Sequence, residues 1–221
     1  MNWPALQPWV LSVEIAAAAT VINALVAIPL SYFLARRRFP GRWLVESLVI
    51  LPLVMPPTVV GFLLWYVIGR VGLYGWLSGG ETLFFTVKAE ILASSIVSFP
   101  LLALPMRAAF ASEAREFHDE ARIAGASPWQ RFLYISLPLA RGGMLSGLTL
   151  GFARALGEFG ATMMLVSAGD ARTRTLSLQI YNDAISPGEY LKAWPPVIAL
   201  ALTSMVLIIA AHRLRWLDVD R

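Results

Sequence analysis

Few residues in this chain are of a type and spacing that could do chemistry, and most of them lie inside or beside apolar runs. Arg154 and Glu158 stand one helical turn apart in Ala153-Arg154-Ala155-Leu156-Gly157-Glu158-Phe159-Gly160-Ala161, so they can pair on one helix face. Charges in such surroundings are costly and face a bundle interior or a wet cavity. The pair is therefore either a satisfied structural contact or part of a polar path through the bundle. Ser94 and Ser98 share a helical face in another apolar run. Serines so placed bond back to the backbone or pack helices, or else they line the same path. Arg172 and Arg174 alternate with Thr173 and Thr175. They form either a basic, hydroxyl-rich mouth that concentrates anions or a pair of solvated charges. Glu14 and Asn23 are also polar for their surroundings, and the sequence assigns them no role.

Enzyme chemistry finds no support. The sequence contains no G-x-x-x-x-G-K-[ST], and neither Lys88 nor Lys192 follows a glycine-rich loop, so no nucleotide is bound by this chain. Any ATP must be hydrolysed by another chain. His118 and His212 stand apart without metal-ligand spacing, and there is no G-x-S-x-G elbow. The absence of cysteine removes disulfides, thiol chemistry and Cys-based metal sites. The expectation is a non-enzyme with no cofactor and no metal of its own.

The elements that must position these residues are membrane spans. Of 221 residues, 57% are hydrophobic and 14% charged, and the mean hydropathy is +0.65. Apolar runs long enough to cross about 30 Å of hydrocarbon recur along the chain. The expected fold is an all-α membrane protein with five transmembrane helices at about 9–35, 43–69, 87–110, 141–166 and 193–211. The first apolar run is too long for a signal peptide and reads as a retained span. Pro52, Pro56, Pro57, Pro100 and Pro105 each remove a backbone donor, so kinks are expected. Gly143, Gly147 and Gly151 repeat every four residues and give a small face for close helix packing, within the subunit or across a dimer. Five spans place the termini on opposite sides. Arg36, Arg37, Arg38, Arg42, Arg107, Arg115, Arg122, Arg131, Arg141, Arg213, Arg215 and Arg221 fall on one side, against Arg70, Lys88, Arg172, Arg174 and Lys192 on the other. That bias puts the N-terminus outside and the C-terminus in the cytoplasm. Tryptophans from Trp3 to Trp216 lie near span ends, as interfacial anchors do. The arginines flank spans instead of forming one polar face, so nucleic acid is a poor partner and the lipid bilayer a good one.

The longest polar interruption runs from Glu116 to Pro138. Acids early and Arg122 late suit the dipole of a short helix over 116–124. Gly125 then stands where a helix-ending residue with positive φ is needed. Ser127-Pro128 restarts a helix, with serine as N-cap and proline at the first helical position. Trp129, Phe132, Leu133 and Ser136 follow at i, i+3, i+4 and i+7 as one largely apolar stripe.

This stretch resembles the cytoplasmic signature of ABC-importer permeases, EAA, three residues, Gly, nine residues, Ile-x-Leu-Pro. Asp119, Glu120 and Ala121 occupy the EAA positions, followed at the matching spacing by Gly125, Ile135, Leu137 and Pro138. Asp119 replaces Glu and Glu120 replaces the middle Ala. The resemblance implies a type I ABC importer permease, with a single domain over 9–215 and a coupling loop over 111–138 that docks into a groove on the ATPase. Leu51 to Phe62, Gly69 to Leu73, Phe152 to Ala161 and Ala171 to Thr175 look like the molybdate-type permeases, although sulfate permeases share much of the third segment. The resemblance further implies a homodimer, two copies of a cytoplasmic ATPase that bind the ATP, an extracytoplasmic oxyanion-binding protein, and residence in a bacterial or archaeal cytoplasmic membrane. Molybdate or tungstate is the implied cargo; a sulfate or thiosulfate permease, a secondary transporter and a structural membrane scaffold are the alternatives. A doubly charged tetrahedral oxyanion cannot enter hydrocarbon and needs a polar path that binds weakly enough to release it. Selectivity can then reside in the binding protein, and no high-affinity anion site is expected in this chain.

Overall fold

The described residues fold as helices joined by turns. A computed structural model describes residues 3–69, 72–113, 115–166, 170–188 and 190–219. Arg70, Val71, Ser167 and Arg221 of the sequence reading lie outside the described residues, as do the side chains of Trp3, Arg115, His212, Arg215 and Trp216. In chain order the helices are α1 (Trp3–Arg36), α2 (Arg42–Val54), α3 (Pro57–Ile68), α4 (Leu73–Ser78), α5 (Val87–Ser112), α6 (Arg115–Ile123) and α7 (Pro128–Arg131). A π-helical turn, Phe132–Ser136, leads to α8 (Leu137–Leu139), α9 (Arg141–Leu156), α10 (Gly160–Met163), α11 (Leu176–Ile185) and α12 (Trp194–Val219).

The expectation of five spans is corrected. Judged on the described residues, four segments are long and apolar enough to cross a membrane: Leu6–Arg36, Val87–Ser112, Tyr190–Ala210, and Pro57–Ser78, the last made of α3 and α4 on either side of Arg70 and Val71, which lie outside the described residues. The expected span over 43–69 is broken where Met55 and Pro56 both adopt extended ψ, 141° and 134°. Each precedes a proline, whose ring pushes its predecessor out of the helical region. The expected span over 141–166 ends as a helix at Leu156, leaving 16 residues in α9. That is about 24 Å at 1.5 Å per residue, short of the roughly 30 Å of hydrocarbon. The placement of the termini on opposite sides rests on an odd number of crossings, and it goes with the fifth span. Pro100 and Pro105 lie inside a helix that is continuous from Val87 to Ser112.

Packing centres on α5, with α1 and α9 along its sides. The glycine face of α9 turns to α5 within the subunit. A Cβ added at Gly147 would meet Leu102 O at 2.4 Å, one at Gly143 would meet Ala109 Cβ at 2.3 Å, and one at Gly151 would meet Leu102 Cβ at 2.8 Å. Ala27 of α1 packs with Leu102, Ala103 and Met106 of α5, while Ala16 and Ala19 pack against Ala155 and Leu156 of α9. Polar groups reinforce these contacts. Asn23 Nδ2, which the sequence left without a role, donates to Ser95 O at 2.9 Å and to Ser98 Oγ at 3.0 Å. Ser31 Oγ donates to Ala103 O at 3.1 Å, and Ser12 Oγ accepts from Leu176 N at 2.8 Å. At the end of α5, Glu46 of α2 accepts from Arg107 at 2.7 Å and Arg42 at 2.6 Å. Peripheral α12 leaves Ile198, Leu202, Met205, Val206, Ile208 and Ile209 exposed, the apolar outer surface a bilayer would cover.

The α5–α9 contact yields a paired prediction. Gly147→Ala forces a methyl group onto a backbone carbonyl and should cost about 1–3 kcal/mol, as overpacking does. Gly142→Ala meets nothing within 4 Å and should be neutral or stabilise by about 0.5–1 kcal/mol, as glycine removal from a helix does. Thermal unfolding of the detergent-solubilised protein checks both; equal midpoints for the two variants would contradict the close approach.

Candidate functional site

The stretch after α5 is built almost entirely from local signals. Helix α6 closes with Gly125 at φ 83°, while Gly125 N bonds Arg122 O at 3.1 Å and Ala126 N bonds Ala121 O at 2.9 Å. These two bonds make a Schellman end, which satisfies carbonyls that the last helical turn leaves over. Ser127 then caps α7. Its Oγ accepts from Gln130 N at 3.2 Å, and Gln130 Oε1 accepts from Ser127 N at 2.8 Å. This is a capping box with Pro128 at the first position. Asp119, Glu120, Gly125 and Pro138 are exposed, while Ala121, Ile135 and Leu137 are partly covered. Glu120, Ala121, Ile135 and Pro138 line one open cleft with Phe117, Ala124, Tyr134 and Leu139. Gly125 and Ile135 line a second beside it. Asp119 and Leu137 line neither. The stripe from Trp129 divides: Phe132 packs on Tyr32 at 4.8 Å between ring centres, Ser136 is buried, and Trp129 stays exposed.

One cluster escaped the sequence reading. His118, which looks solitary in the sequence, is buried against Glu113, Arg36 and Ser136. Arg36 of α1 pairs with Glu113 just beyond α5. His118 Nε2 lies 2.9 Å from the same oxygen, Glu113 Oε2, and Ser136 Oγ donates to it at 2.9 Å. Arg36 Nη2 is also 2.7 Å from His118 Nε2. Ser136 reaches this cluster from the π-helical turn, in which Leu137 N bonds Phe132 O. Pro138 supplies the reason: its ring would clash with the carbonyl four residues back in a regular α-helix, and a widened turn relieves the clash. Among the described residues no group of His, Asp and Glu has the arrangement of a metal site.

The apolar interior holds the remaining candidates. Arg154 Nη1 and Glu158 Oε2 form an ion pair at 2.7 Å, with the glutamate side chain 2% exposed and the arginine 26%. Glu158 Oε1 also accepts from Ala161 N at 2.8 Å, so the carboxylate starts α10 as well as pairing with Arg154. This lies in the break between α9 and α10, and the break sits on the one between α2 and α3. A Cβ on Gly160 would meet Pro57 Cβ at 3.0 Å, and one on Gly61 would meet Ala161 O at 2.7 Å. Ser94 and Ser98 are buried, and Ser98 Oγ donates to Ser94 O at 2.6 Å. With Asn23 on it, Ser98 belongs to the α1–α5 contact, and Ser94 lies one turn before it in α5.

Residues 27–217 match the family described as binding-protein-dependent transport system inner membrane component. The chain belongs to that family. It is 37% identical over 94% of its length to the molybdenum transport system permease protein ModB of Escherichia coli K12, covering 92% of that protein. It is 39% identical over 80% of its length to ModB of Haemophilus influenzae, covering 79% of it. A putative molybdenum transport system permease protein of Bacillus subtilis is 36% identical over 91% of this chain and 89% of that one. The fold is shared with a bacterial ABC transporter involved in importing the acidic polysaccharide alginate, at a TM-score of 0.80 and 17% identity, over 97% of this chain and 80% of the other. As a permease of this family, the chain is a multi-pass membrane protein that works with an ATPase and a substrate-binding protein.

On this permease, Arg172 and Arg174 differ in their surroundings. Arg172 is exposed and pairs with Asp170 at 3.2 Å. The Arg172 backbone N–H, and then its guanidinium, hold the Asp170 carboxyl below the usual carboxylate range. Asp170 in turn raises Arg172, so the charge of this arginine is locally compensated. Arg174 is partly covered.

The Arg154–Glu158 pair makes a measurable claim. In a double-mutant cycle with Arg154→Met and Glu158→Gln, the coupling should be about 1–2 kcal/mol, within the range for contacting residues. Arg154→Met alone should be the more harmful single change, because it leaves the buried Glu158 carboxylate without its counter-ion, whereas Glu158→Gln leaves a guanidinium that is 26% exposed. Chemical unfolding in detergent reads the cycle, and simple additivity would contradict the pairing.

Proposed function

We propose that this chain is the permease subunit of an ATP-driven importer that moves molybdate, and tungstate by chemical likeness, across the cytoplasmic membrane. The observation that carries the reading is its 37% identity to a molybdenum transport system permease across 94% of the chain. In this reading residues 9–215 form one permease domain. It works as a homodimer, with two cytoplasmic ATPase subunits that bind the nucleotide and an extracytoplasmic oxyanion-binding protein that selects the cargo. The stretch 111–138 docks on the ATPase, through Asp119, Glu120, Ala121, Gly125, Ile135, Leu137 and Pro138. The clefts beside Ala121 and Gly125 and the exposed Ile123, Trp129 and Tyr134 provide that contact. Arg154 and Glu158 edge the translocation path, and Ser94 and Ser98 stiffen its wall. Arg172 and Arg174 supply basic groups at a mouth of that path, where Asp170 moderates the pull on an arriving dianion.

Uptake of labelled molybdate in cells lacking their own permease tests the cargo. Restored uptake that excess tungstate suppresses, and equal sulfate leaves intact, is expected; uptake that follows sulfate instead would overturn the molybdate reading. The docking stretch is tested at Gly125. Positive φ costs a bulky residue about 1 kcal/mol or more, and Gly125→Arg also places a long side chain at the contact. Membrane abundance should stay normal while ATPase recovery on co-purification and uptake are both lost. Gly125→Ala should be milder. Full ATPase recovery and uptake in Gly125→Arg would remove the docking role.

A further inference from the structure

We propose that Arg36, Glu113, His118 and Ser136 form the joint through which the docking stretch moves α1 and α5, with Glu113 as the shared acceptor that holds the joint closed. The inference rests on the docking reading of residues 111–138. Helix α5 ends at Ser112, and Glu113 is extended, at φ −63° and ψ 133°. The chain therefore does not run into α6 as one rigid rod, and a displacement of α6 needs a side-chain connection to reach the long helices. The cluster provides it. Arg36 is the last residue of α1, Glu113 follows α5, His118 belongs to α6, and Ser136 closes the π-helical turn. All three neighbours converge on a single oxygen, Glu113 Oε2.

Burial makes the joint stiff. Glu113, His118 and Ser136 are all buried, so water cannot substitute for a lost partner without opening the contact. An ionised carboxylate only accepts, arginine only donates, and the serine hydroxyl here donates. Without the carboxylate, Arg36 and the Ser136 hydroxyl would both lose the acceptor they share, and Arg36 Nη2 already lies 2.7 Å from His118 Nε2. Rings add a second tie beside it: Phe132 meets Tyr32 of α1 at 4.8 Å and Phe110 of α5 at 6.4 Å. Ser136 occupies the unspecified place in the Ile-x-Leu-Pro pattern, and the π turn that Pro138 induces is what turns its hydroxyl inward. Arg36 and Glu113 lie outside that pattern altogether.

The test uses the permease–ATPase complex in proteoliposomes, measuring ATP hydrolysis and molybdate uptake separately. Glu113→Ala should keep the ATPase bound and hydrolysing while molybdate moved per ATP falls about tenfold, the scale of one lost charge-assisted hydrogen bond. Ser136→Ala, which removes a single hydroxyl and leaves the fold intact, should lower the ratio about two- to threefold. Arg36→Ala should resemble Glu113→Ala, and Arg36→Lys should restore most of the ratio. A purely structural role would lower abundance, hydrolysis and uptake together and leave the ratio unmoved, and that result would overturn the joint. Gly125→Arg, run in parallel, separates the two claims. If it sheds the ATPase while the cluster variants keep a full ratio, the joint alone is wrong. If it keeps the ATPase and full uptake, the docking reading fails and the joint with it.

Discussion

The close approach of α9 to α5 is the contact around which the other helices are arranged. Between helices in a bilayer there is no hydrophobic drive, because lipid tails are as apolar as leucine. Association must come from dispersion at short range and from hydrogen bonds. Glycine at positions 143, 147 and 151 puts no side chain on the α9 side of the contact, so Leu102, Pro105 and Ala109 of α5 come directly against it. Helix α1 then needs small residues to lie across the pair, and Ala16, Ala19 and Ala27 are fully buried there. Asn23 and Ser31 add directional bonds to carbonyls and a hydroxyl of α5. These fix the rotation of α1, which dispersion alone would leave loosely defined.

Interruption of a helix inside an apolar bundle is tolerated only where protein covers the freed backbone groups. Here two interruptions cover each other. Gly61 of α3 meets Ala161 O, and Gly160 meets Pro57, so the turn after α9 rests on the turn before α3. Met163 N bonds Phe159 O at 2.8 Å, and Glu158 N bonds Ala155 O at 3.2 Å. The carboxylate of Glu158 takes the N–H of Ala161 that no carbonyl reaches. A charged residue in an apolar run thus has a backbone duty, and Arg154 compensates the charge that this duty brings with it.

What could be read from the sequence was local. The Gly125 turn, the Ser127 cap and the Arg154–Glu158 spacing each depend on residues within four positions, and periodicity finds them. The span count failed because hydropathy averages over a window, and Gly157-Glu158-Phe159 changes an average little while ending a helix. Glu158 between two glycines, inside an otherwise apolar run, was the signal available for that break. His118 looked solitary because Arg36 lies 82 residues away and Ser136 18 residues away. Its nearer partner, Glu113, is five residues back, which no helical period brings together. Asn23 could not be assigned for the same reason, since its partners on α5 are 72 and 75 residues on.

The two kinds of contact are also segregated along the helices, and that bears on where they can move. Ion pairs gather at one end, where Arg36–Glu113 and the Arg42–Glu46–Arg107 group tie α1, α2 and α5 together. Buried or half-buried ion pairs resist gradual stretching, because separating partners in poor solvent costs several kcal/mol before any new contact forms. That end should therefore shift as one body. The interruption at Met55–Pro56 has no such tie, and the one at Gly157–Phe159 has only the Arg154–Glu158 pair within its own segment: otherwise both are held by van der Waals contact, short-range backbone bonds and one carboxylate cap. A few residues at element ends are where large changes in backbone angle are absorbed. On the proposed joint, a displacement of the ion-paired end would run along α1 and α5 toward the place where the two interrupted segments rest on each other, beside the Arg154–Glu158 pair.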